Sequence, residues 1–138
     1  YQIDYYKNKF LKYINPGFIK CVTDENDELV AFAITMPSFS NALKKINGKV
    51  DFFGKLRLLH AKNFNHKGSL YLIGVRPDFQ NKGVIAILFN ELQKFYNKFG
   101  ITEVETNPEL IENTAIQQLW KNYENNQHKN RATFTKQI

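Results

Sequence analysis

The chain has 138 residues, of which 43% are hydrophobic and 14% aromatic, a composition that fits one globular domain and excludes a disordered chain. A single cysteine excludes an internal disulfide, and no apolar run reaches the roughly 18 residues of a membrane span, so we expect a cytoplasmic protein with Cys21 as a reduced core thiol. The formal net charge of +6 resides wholly in residues 42–67, where seven Lys and Arg accompany one acid.

The first part of the chain predicts a helix and then a β-hairpin. Apolar residues recur at helical spacing from Tyr1 to Ile14, and the following Pro-Gly pair would end that helix. Two β-rich runs come next, Phe18 to Thr23 and Leu29 to Met36, separated by the polar sequence DENDE. Pro37 closes the hairpin because proline cannot donate to a sheet ladder.

Residues 38–68 are the basic part of the chain. Two short helices are predicted there, over SNALKKIN and FFGKLRLLHAKN. Gly48 separates the two helices, and Gly54 weakens the second one. Because all the excess charge lies in this part, residues 38–68 are predicted to be a basic helical insertion between the hairpin and the next strand.

The second half of the chain predicts strands that alternate with helices. Ser69 to Val75 is an apolar run of strand length, and a helix with a clear apolar face follows it and ends at Gly100. ITEVET is the next strand, Asn113 can cap a further helix, and RATFTKQI alternates like a last strand. The unit from Leu70 to Thr106 is a crossover whose two strands should run parallel, so the fold class is α/β, more closely α+β, with a mixed sheet.

The stretch GVRPDFQNKGV lies where a strand passes into a helix. A helix that begins there directs free backbone N–H groups and its positive dipole end at whatever lies beyond the strand, which favours an anion. Gly83 permits a close approach, while Arg76, Gln80 and Lys82 could add charge or hydrogen bonds. Turns of this kind also carry such residues for purely structural reasons, so the pattern alone leaves both interpretations open.

The sequence VRPDFQNKGVI resembles the acetyl-coenzyme A signature of the GNAT acyltransferase superfamily, in which a strand ends in V-x-P and [QR]-x-x-G-x-[GA] opens the next helix. The positions that match are Val75, Pro77, Gln80 and Gly83. Further along, NTAIQQLWKNY looks like the family's N-x-x-A-x-x-L-Y helix, with its Asn at Asn113. The resemblance implies a single GNAT-like domain over residues 1–138 that lacks the family's first strand and helix.

The resemblance also implies the cofactor, acetyl-coenzyme A or another acyl-coenzyme A, and where it binds. The pantetheine arm would pair with backbone at Ile73, Gly74 and Val75, and Asn113 would face it. The pyrophosphate would bind the N–H groups of the turn, which belong to Gln80, Asn81, Lys82, Gly83, Val84 and Ile85. The activity implied is acyl transfer to an amine, either a small molecule or a protein.

Three positions depart from the family's pattern. Ile85 stands where the family has a small residue, and Trp120 stands where it often has the Tyr that protonates the leaving thiolate. Tyr123, one turn later, is the candidate replacement, although an aromatic at that spacing also suits a core. The strand before the turn has no carboxylate, so the base must come from Glu105, with Glu103 as the second candidate. For either glutamate, a solvated strand residue is the alternative interpretation, and the pattern alone favours it.

Two questions stay open from the sequence. In the insertion, the rings of FFGKLRLLHAKNF could pack on the domain and leave the lysines in water. Alternatively, the segment could be a lid over the acceptor, or a docking surface for an acidic partner such as a carrier protein or an anionic membrane. Nucleic acid is disfavoured because no base-reading module is recognisable, and the three His lack metal-ligand spacing, so no metal is predicted.

For the activity, the departures at Ile85 and Trp120 leave two candidates. One is an acyl-coenzyme A-dependent N-acyltransferase. The other is a GNAT-like domain that has lost catalysis and serves as a coenzyme A-binding or partner-binding regulatory module. Oligomeric state, acyl length and the acceptor have no signature in the sequence.

Overall fold

A computed structural model of the chain describes residues 4–5, 15–47 and 50–136. The chain comprises two compact units, Tyr1–Thr106 and Asn107–Ile138. The helix predicted for Tyr1 to Ile14 lies outside the described residues except for Asp4 and Tyr5, which are helical.

The first unit contains one mixed sheet with strand order β1-β2-β3-β4. Its strands are β1 (Ile19–Thr23), β2 (Leu29–Pro37), β3 (Lys67–Val75) and β4 (Glu103–Thr106). β1 and β3 both pair antiparallel with β2, whereas β4 runs parallel to β3. The predicted hairpin, crossover and mixed α/β class are therefore confirmed.

Besides the helical residues Asp4 and Tyr5, four α-helices lie in the described residues. They are α1 (Ser40–Ile46), α2 (Phe52–Asn63), α3 (Val84–Phe99) and α4 (Thr114–Trp120). The carboxylate of Asp51 caps α2 by accepting a hydrogen bond from the N–H of Gly54 at 2.7 Å. α3 ends as predicted at Gly100, whose φ of 68° is the left-handed conformation that glycine adopts without a steric penalty.

The core of the first unit lies between α3 and the sheet. One face of α3 is buried, with Val84, Leu88, Leu92 and Tyr96 spaced four residues apart. Val30, Ala31 and Ala33 of β2 are buried with them. At the far end of α3, the ring of Phe95 packs edge-on against Phe18, with 4.8 Å between centroids. At the near end of α3, Val84 is buried with Val30 and Ala31 and Val75 packs against the same cluster, which holds the start of α3 against the end of β3.

Two predictions about individual segments are wrong. Cys21 is an exposed free thiol because it lies on the solvent side of β1, the outermost of the described strands. The tail forms no strand over residues 131–136, and residues 137–138 lie outside the described part. Phe134 is 91% exposed, so alternation in the tail sequence is not accompanied by burial of one face. None of the described helices is long and apolar enough to cross a membrane.

Candidate active site

The candidate site begins where β3 and β4 part. Their last pair is Leu70 with Thr106, but β3 continues to Val75. In the antiparallel register with β2, Leu72 pairs with Ile34 while Leu70 pairs with Thr35, so Tyr71 is an extra residue that forms a β-bulge. A bulge bends its strand, which explains why the parallel pairing stops here.

Beyond the bulge, one edge of β3 has no neighbouring strand among the described residues. The N–H of Arg76 donates a hydrogen bond to the Val30 carbonyl oxygen at 2.8 Å, so the backbone groups of residue 76 face β2. Since strand residues alternate, Gly74 and Leu72 also bond to β2, and Ile73 and Val75 direct their backbone groups to the open edge. An extended ligand could pair with this edge as a strand would.

The open edge leads into the turn between β3 and α3. Asn81 and Gly83 both have left-handed backbone, with φ of 61° and 75°. Among the described residues, none accepts a hydrogen bond from the backbone N–H groups of residues 81 to 85. A Cβ atom added to Gly83 would have nothing within 4 Å. Free N–H groups around open space at the start of a 16-residue helix are the chemistry of an anion site.

Both ends of the turn are anchored to the sheet. Val84 belongs to a buried cluster with Val30 and Ala31, and Val75 and Phe79 pack against the same cluster. Ile85, the next residue of α3, is half-buried in the first helical turn. The turn therefore has little freedom to collapse into its own open space.

Gln80 and Lys82 play different parts in the turn. The Gln80 amide nitrogen lies 3.5 Å from the Val75 carbonyl oxygen, at the outer limit of a hydrogen bond, so its side chain links the turn to the strand end. The Lys82 ammonium lies 5.2 Å from the centroid of the Phe79 ring. The Lys82 side chain is exposed and belongs to the same turn as the free N–H groups.

Arg76 does not serve the turn as a free cation. Its guanidinium binds three carboxylates, with distances of 2.9 Å to Asp78, 3.1 Å to Glu28 and 3.4 Å to Asp24. It also lies 4.6 Å from the centroid of the Phe79 ring. The hydrogen bond to Asp78 is the main reason why the pKa of Arg76 is raised. Its charge is compensated, and its effect is to tie the β1–β2 turn to the end of β3.

A neighbouring side chain on β2 explains why residue 74 is a glycine. It pairs with Phe32, and a Cβ atom at Gly74 would lie 2.5 Å from the Cε1 atom of that ring. The ring therefore covers Gly74 on one face of the sheet. Nothing in the local sequence GVRPDF indicates this contact, because Phe32 lies 42 residues earlier in the chain.

The two candidate bases differ in their surroundings. Glu103 is exposed and forms an ion pair with Lys67 across the β3–β4 ladder. Glu105 is half-buried and pairs with Ser69, one residue before the parallel ladder ends. Glu105 is therefore the carboxylate nearer to the point at which the strands part.

The remaining candidates lie in the second unit. The Asn113 side-chain oxygen caps α4 by accepting a hydrogen bond from the N–H of Ile116 at 3.4 Å. The indole N–H of Trp120 donates to both carboxylate oxygens of Glu109, at 2.8 and 3.0 Å. Tyr123 follows α4, is 40% exposed, and its ring centroid lies 6.3 Å from that of Trp120. Trp120 thus has a structural partner within its own unit.

In the part of the chain that the structure describes, no three His, Cys, Asp or Glu side chains are grouped so that they could hold an ion.

The profile of the acetyltransferase (GNAT) family matches residues 2–123 of the sequence. Among curated proteins, none matches the chain. Solved structures do match it at low sequence identity. The aminoglycoside N-acetyltransferase AAC(6')-Iy in complex with CoA has a TM-score of 0.56 and 17% identity, over 87% of this chain and 75% of that one.

Two other structures show how the acceptor varies on the same fold. The aminoglycoside 6'-N-acetyltransferase AAC(6')-Ih from Acinetobacter baumannii has a TM-score of 0.59 and 13% identity, over 98% of this chain and 81% of its own. The ribosomal-protein-alanine N-acetyltransferase from Brucella melitensis biovar Abortus 2308 has a TM-score of 0.52 and 14% identity, over 84% and 70%. At these identities the likeness shows the fold, and the acceptor must be argued separately.

Proposed function

Since the chain belongs to the acetyltransferase (GNAT) family, we propose that it transfers an acyl group from acyl-coenzyme A, acetyl-coenzyme A in the first instance, to the nitrogen of an amine. The observation that carries the proposal is the continuity of two features. The open edge of β3 leads directly into the turn whose N–H groups at residues 81 to 85 lack acceptors among the described residues.

The residues present fit the cofactor. The backbone groups of Ile73 and Val75 can pair with the amides of a pantetheine arm, as they would with a strand. The N–H groups of the turn and the positive end of α3 can hold a pyrophosphate, with Gly83 leaving room and Lys82 adding charge. When bound, acyl-coenzyme A supplies an activated thioester.

The chain's own part in the chemistry is to position the amine and to move protons. We assign to Glu105 the acceptance of the proton that the amine must lose, since of the two candidate carboxylates it is the nearer to the point at which β3 and β4 part. We assign to Tyr123 the donation of a proton to the leaving sulfur, and to Asn113 a contact with pantetheine. Much of the rate enhancement would come from holding the two reactants together.

The acceptor is proposed only as a class. The names of two structural neighbours give an aminoglycoside and the alanine of a ribosomal protein as their acceptors. What these have in common is an amine, so a small-molecule or protein amine is the acceptor class proposed for this chain.

One observation favours the second candidate, a coenzyme A-binding module without catalysis. Trp120 occupies the helix position of the family's Tyr, and its N–H is already bound to Glu109. An indole N–H has no usable acidity, so this position cannot supply a proton. If Tyr123 does not replace it, the domain would bind coenzyme A as a sensor or docking module without turnover.

The experiment is a turnover assay with acetyl-coenzyme A and a panel of amines, following release of free thiol, beside calorimetric titration of coenzyme A. We expect binding and amine-dependent thiol release, both lost in Gly83→Glu. Binding without turnover on any amine would favour the regulatory module. Absence of binding would overturn both candidates.

A further inference from the structure

Helix α2 has apolar residues on two opposite faces. The inner face consists of Gly54, which is buried, and Leu58 and Ala61, which are half-buried, at positions i, i+4 and i+7. The same spacing on the opposite side gives Phe52, Leu56 and Leu59, and these are 71%, 48% and 56% exposed. The inner face already packs on the domain, so the outer stripe is not part of the core.

Further rings stand at both ends of α2. Phe53 at the start and Phe64 just after the end are 69% and 73% exposed. Phe53 packs edge-on with Phe52 at 5.8 Å, and Phe64 stacks on His60 at 5.2 Å, measured between ring centroids. The rings therefore contact one another and a histidine, and they remain largely exposed. This contradicts the interpretation in which the rings of this segment pack on the domain.

Positive charges flank the exposed stripe. Lys55 and Lys62, two turns apart, lie along one side of it. On the other side, Arg57 donates a hydrogen bond to the Lys45 carbonyl oxygen of α1 at 3.4 Å, which brings α1 and its Lys44 alongside. Within residues 4–5, 15–47 and 50–136, no carboxylate forms an ion pair with these five cations.

We propose that the exposed face of α2, with its flanking cations, binds an anionic lipid surface. The apolar side chains would enter the headgroup layer, and the Lys and Arg side chains would reach lipid phosphates around them. The helix of 12 residues is about 18 Å long and would lie flat on the surface. This inference does not depend on the proposed acyltransfer.

The shape and chemistry of this face favour lipid over an acidic protein. Phe and Leu side chains project from a single convex helix, which offers no groove for the side chains of a partner. A fluid lipid surface needs no matching shape, and Phe and Leu bordered by Lys are the residue types of interfacial helices. The charge complementarity is to an anionic surface, since Asp51, the sole acid between residues 42 and 67, is used as the cap of α2.

The test is co-sedimentation of the full chain with vesicles of phosphatidylcholine alone or of equal parts phosphatidylcholine and phosphatidylglycerol. We expect binding to the anionic vesicles that weakens as salt is added, because surface charges are screened beyond about 8 Å at physiological ionic strength. Neutral vesicles should bind at least about tenfold more weakly. Equal binding to both would overturn the proposal, as would no binding to either.

Two variants separate the two kinds of contact. The double substitution Lys55→Gln and Lys62→Gln should weaken anionic-vesicle binding about 25-fold, since each charge near the surface contributes about fivefold. Phe52→Ser should weaken it about tenfold or more, because an apolar ring would no longer enter the membrane. Matched controls are Lys98→Gln on α3 and Leu29→Thr on β2, where Leu29 is 51% exposed, and both should bind as the parent does.

A soluble acidic polypeptide, polyglutamate, distinguishes the rival partner class. If polyglutamate competes fully with anionic vesicles and Phe52→Ser changes neither interaction, the face recognises acidic protein and the lipid proposal fails. Circular dichroism on each variant should match the parent, since all the substituted side chains are exposed.

Discussion

The Nη1 atom of Arg76, at the end of β3, lies 3.1 Å from the Oε2 atom of Glu28, 48 residues earlier in the turn between β1 and β2. Asp24 in the same turn and Asp78 beyond the strand bind the same guanidinium. Asp24 also organises its own turn by accepting hydrogen bonds from the N–H groups of Asn26 and Glu28, at 2.9 and 3.1 Å. One cation thus connects the hairpin turn to the strand that leads into the candidate cofactor turn.

Arg76→Gln should therefore lower stability in a pH-dependent way. The hydrogen bond from Arg76 lowers the pKa of Asp78 below its ordinary 3.8. Burial would raise the pKa of Asp24, but the N–H groups of Asn26 and Glu28, and then Arg76, lower it overall. Carboxylates with lowered pKa stabilise the fold above their ordinary pKa, and this stabilisation is lost as pH falls through the lowered value.

The measurement is urea unfolding of the parent and Arg76→Gln across pH. The difference in unfolding free energy should be largest near neutral pH and should shrink below pH 3.8. The variant should also bind coenzyme A more weakly, because the strand end is less firmly held. Lys94→Gln removes an ion pair of 2.6 Å on α3 and serves as the control with unchanged coenzyme A affinity. A constant stability difference at all pH values would contradict the assignment.

Gly74→Ala should destabilise the fold through a steric clash. The new Cβ atom would lie 2.5 Å from Cε1 and 2.9 Å from Cζ of Phe32, so the ring must move. Overpacking of this kind costs about 1–3 kcal/mol in thermal or urea unfolding. Gly68→Ala on the same strand is the control, since its nearest atoms would be at 3.4 and 3.5 Å.

Phe32→Leu provides the complementary measurement. If the ring is the cause, the cost of Gly74→Ala should fall by about 1 kcal/mol or more in the Phe32→Leu background. Additive costs would show that Gly74 is required for some other reason.

These two contacts mark the limit of what the sequence could predict. Apolar periodicity and the positions of Gly and Pro were sufficient to predict the hairpin, the two helices within residues 38–68 and α3 up to Gly100, because these depend on residues close in the chain. The contacts of Arg76 with Glu28 and of Gly74 with Phe32 depend on strand register, which no local pattern encodes. Cys21 and the tail were predicted wrongly for the same reason, since apolar or alternating residues form a core only where another element covers them.

Gly83→Glu should abolish coenzyme A binding. The side chain would enter the open space at the turn with a charge that repels phosphate, where glycine leaves room. It would also place a non-glycine residue at φ 75°, at a cost of about 1–2 kcal/mol. Backbone strain alone could therefore cause the loss of coenzyme A binding, so its effect must be measured separately.

Gly100→Glu makes that separation at the other end of the same helix. Gly100 has φ 68° and its added Cβ atom would be 3.8 Å from the nearest side-chain atom, so the backbone cost should be similar. Calorimetry should show coenzyme A binding retained in Gly100→Glu and lost in Gly83→Glu. If both variants lose binding equally, the turn is not the anion site.

Tyr123→Phe tests whether this residue protonates the leaving thiolate. Removal of a general acid should lower kcat for acetyl-coenzyme A by about 10²-fold. The loss should shrink with an acetyl thioester whose thiol is more acidic, since that leaving group needs no proton. Trp120→Phe removes the hydrogen bond to Glu109 and is the control that reports on stability alone. If kcat falls equally with acetyl-coenzyme A and with the thioester of the more acidic thiol, Tyr123 has a structural role and does not protonate the thiolate.

Glu105→Gln tests the proposed base, and Glu103→Gln is its matched control. Both glutamates lie on β4, two residues apart, so they share a face of the strand. Glu103 is bound to Lys67 and exposed, whereas Glu105 is half-buried where the parallel ladder ends. Glutamine preserves the shape of either side chain and removes its basicity.

In Glu105→Gln, kcat should fall by about 10²-fold at neutral pH, while KM for acetyl-coenzyme A stays close to the parent value. The loss should diminish as pH rises, because a larger fraction of the amine is then already deprotonated and needs no base. Glu103→Gln should change kcat by less than about threefold, since an exposed ion pair on a ladder contributes little. Steady-state kinetics from neutral to alkaline pH on all three proteins make the comparison, and equal losses in the two variants would remove Glu105 from the chemistry.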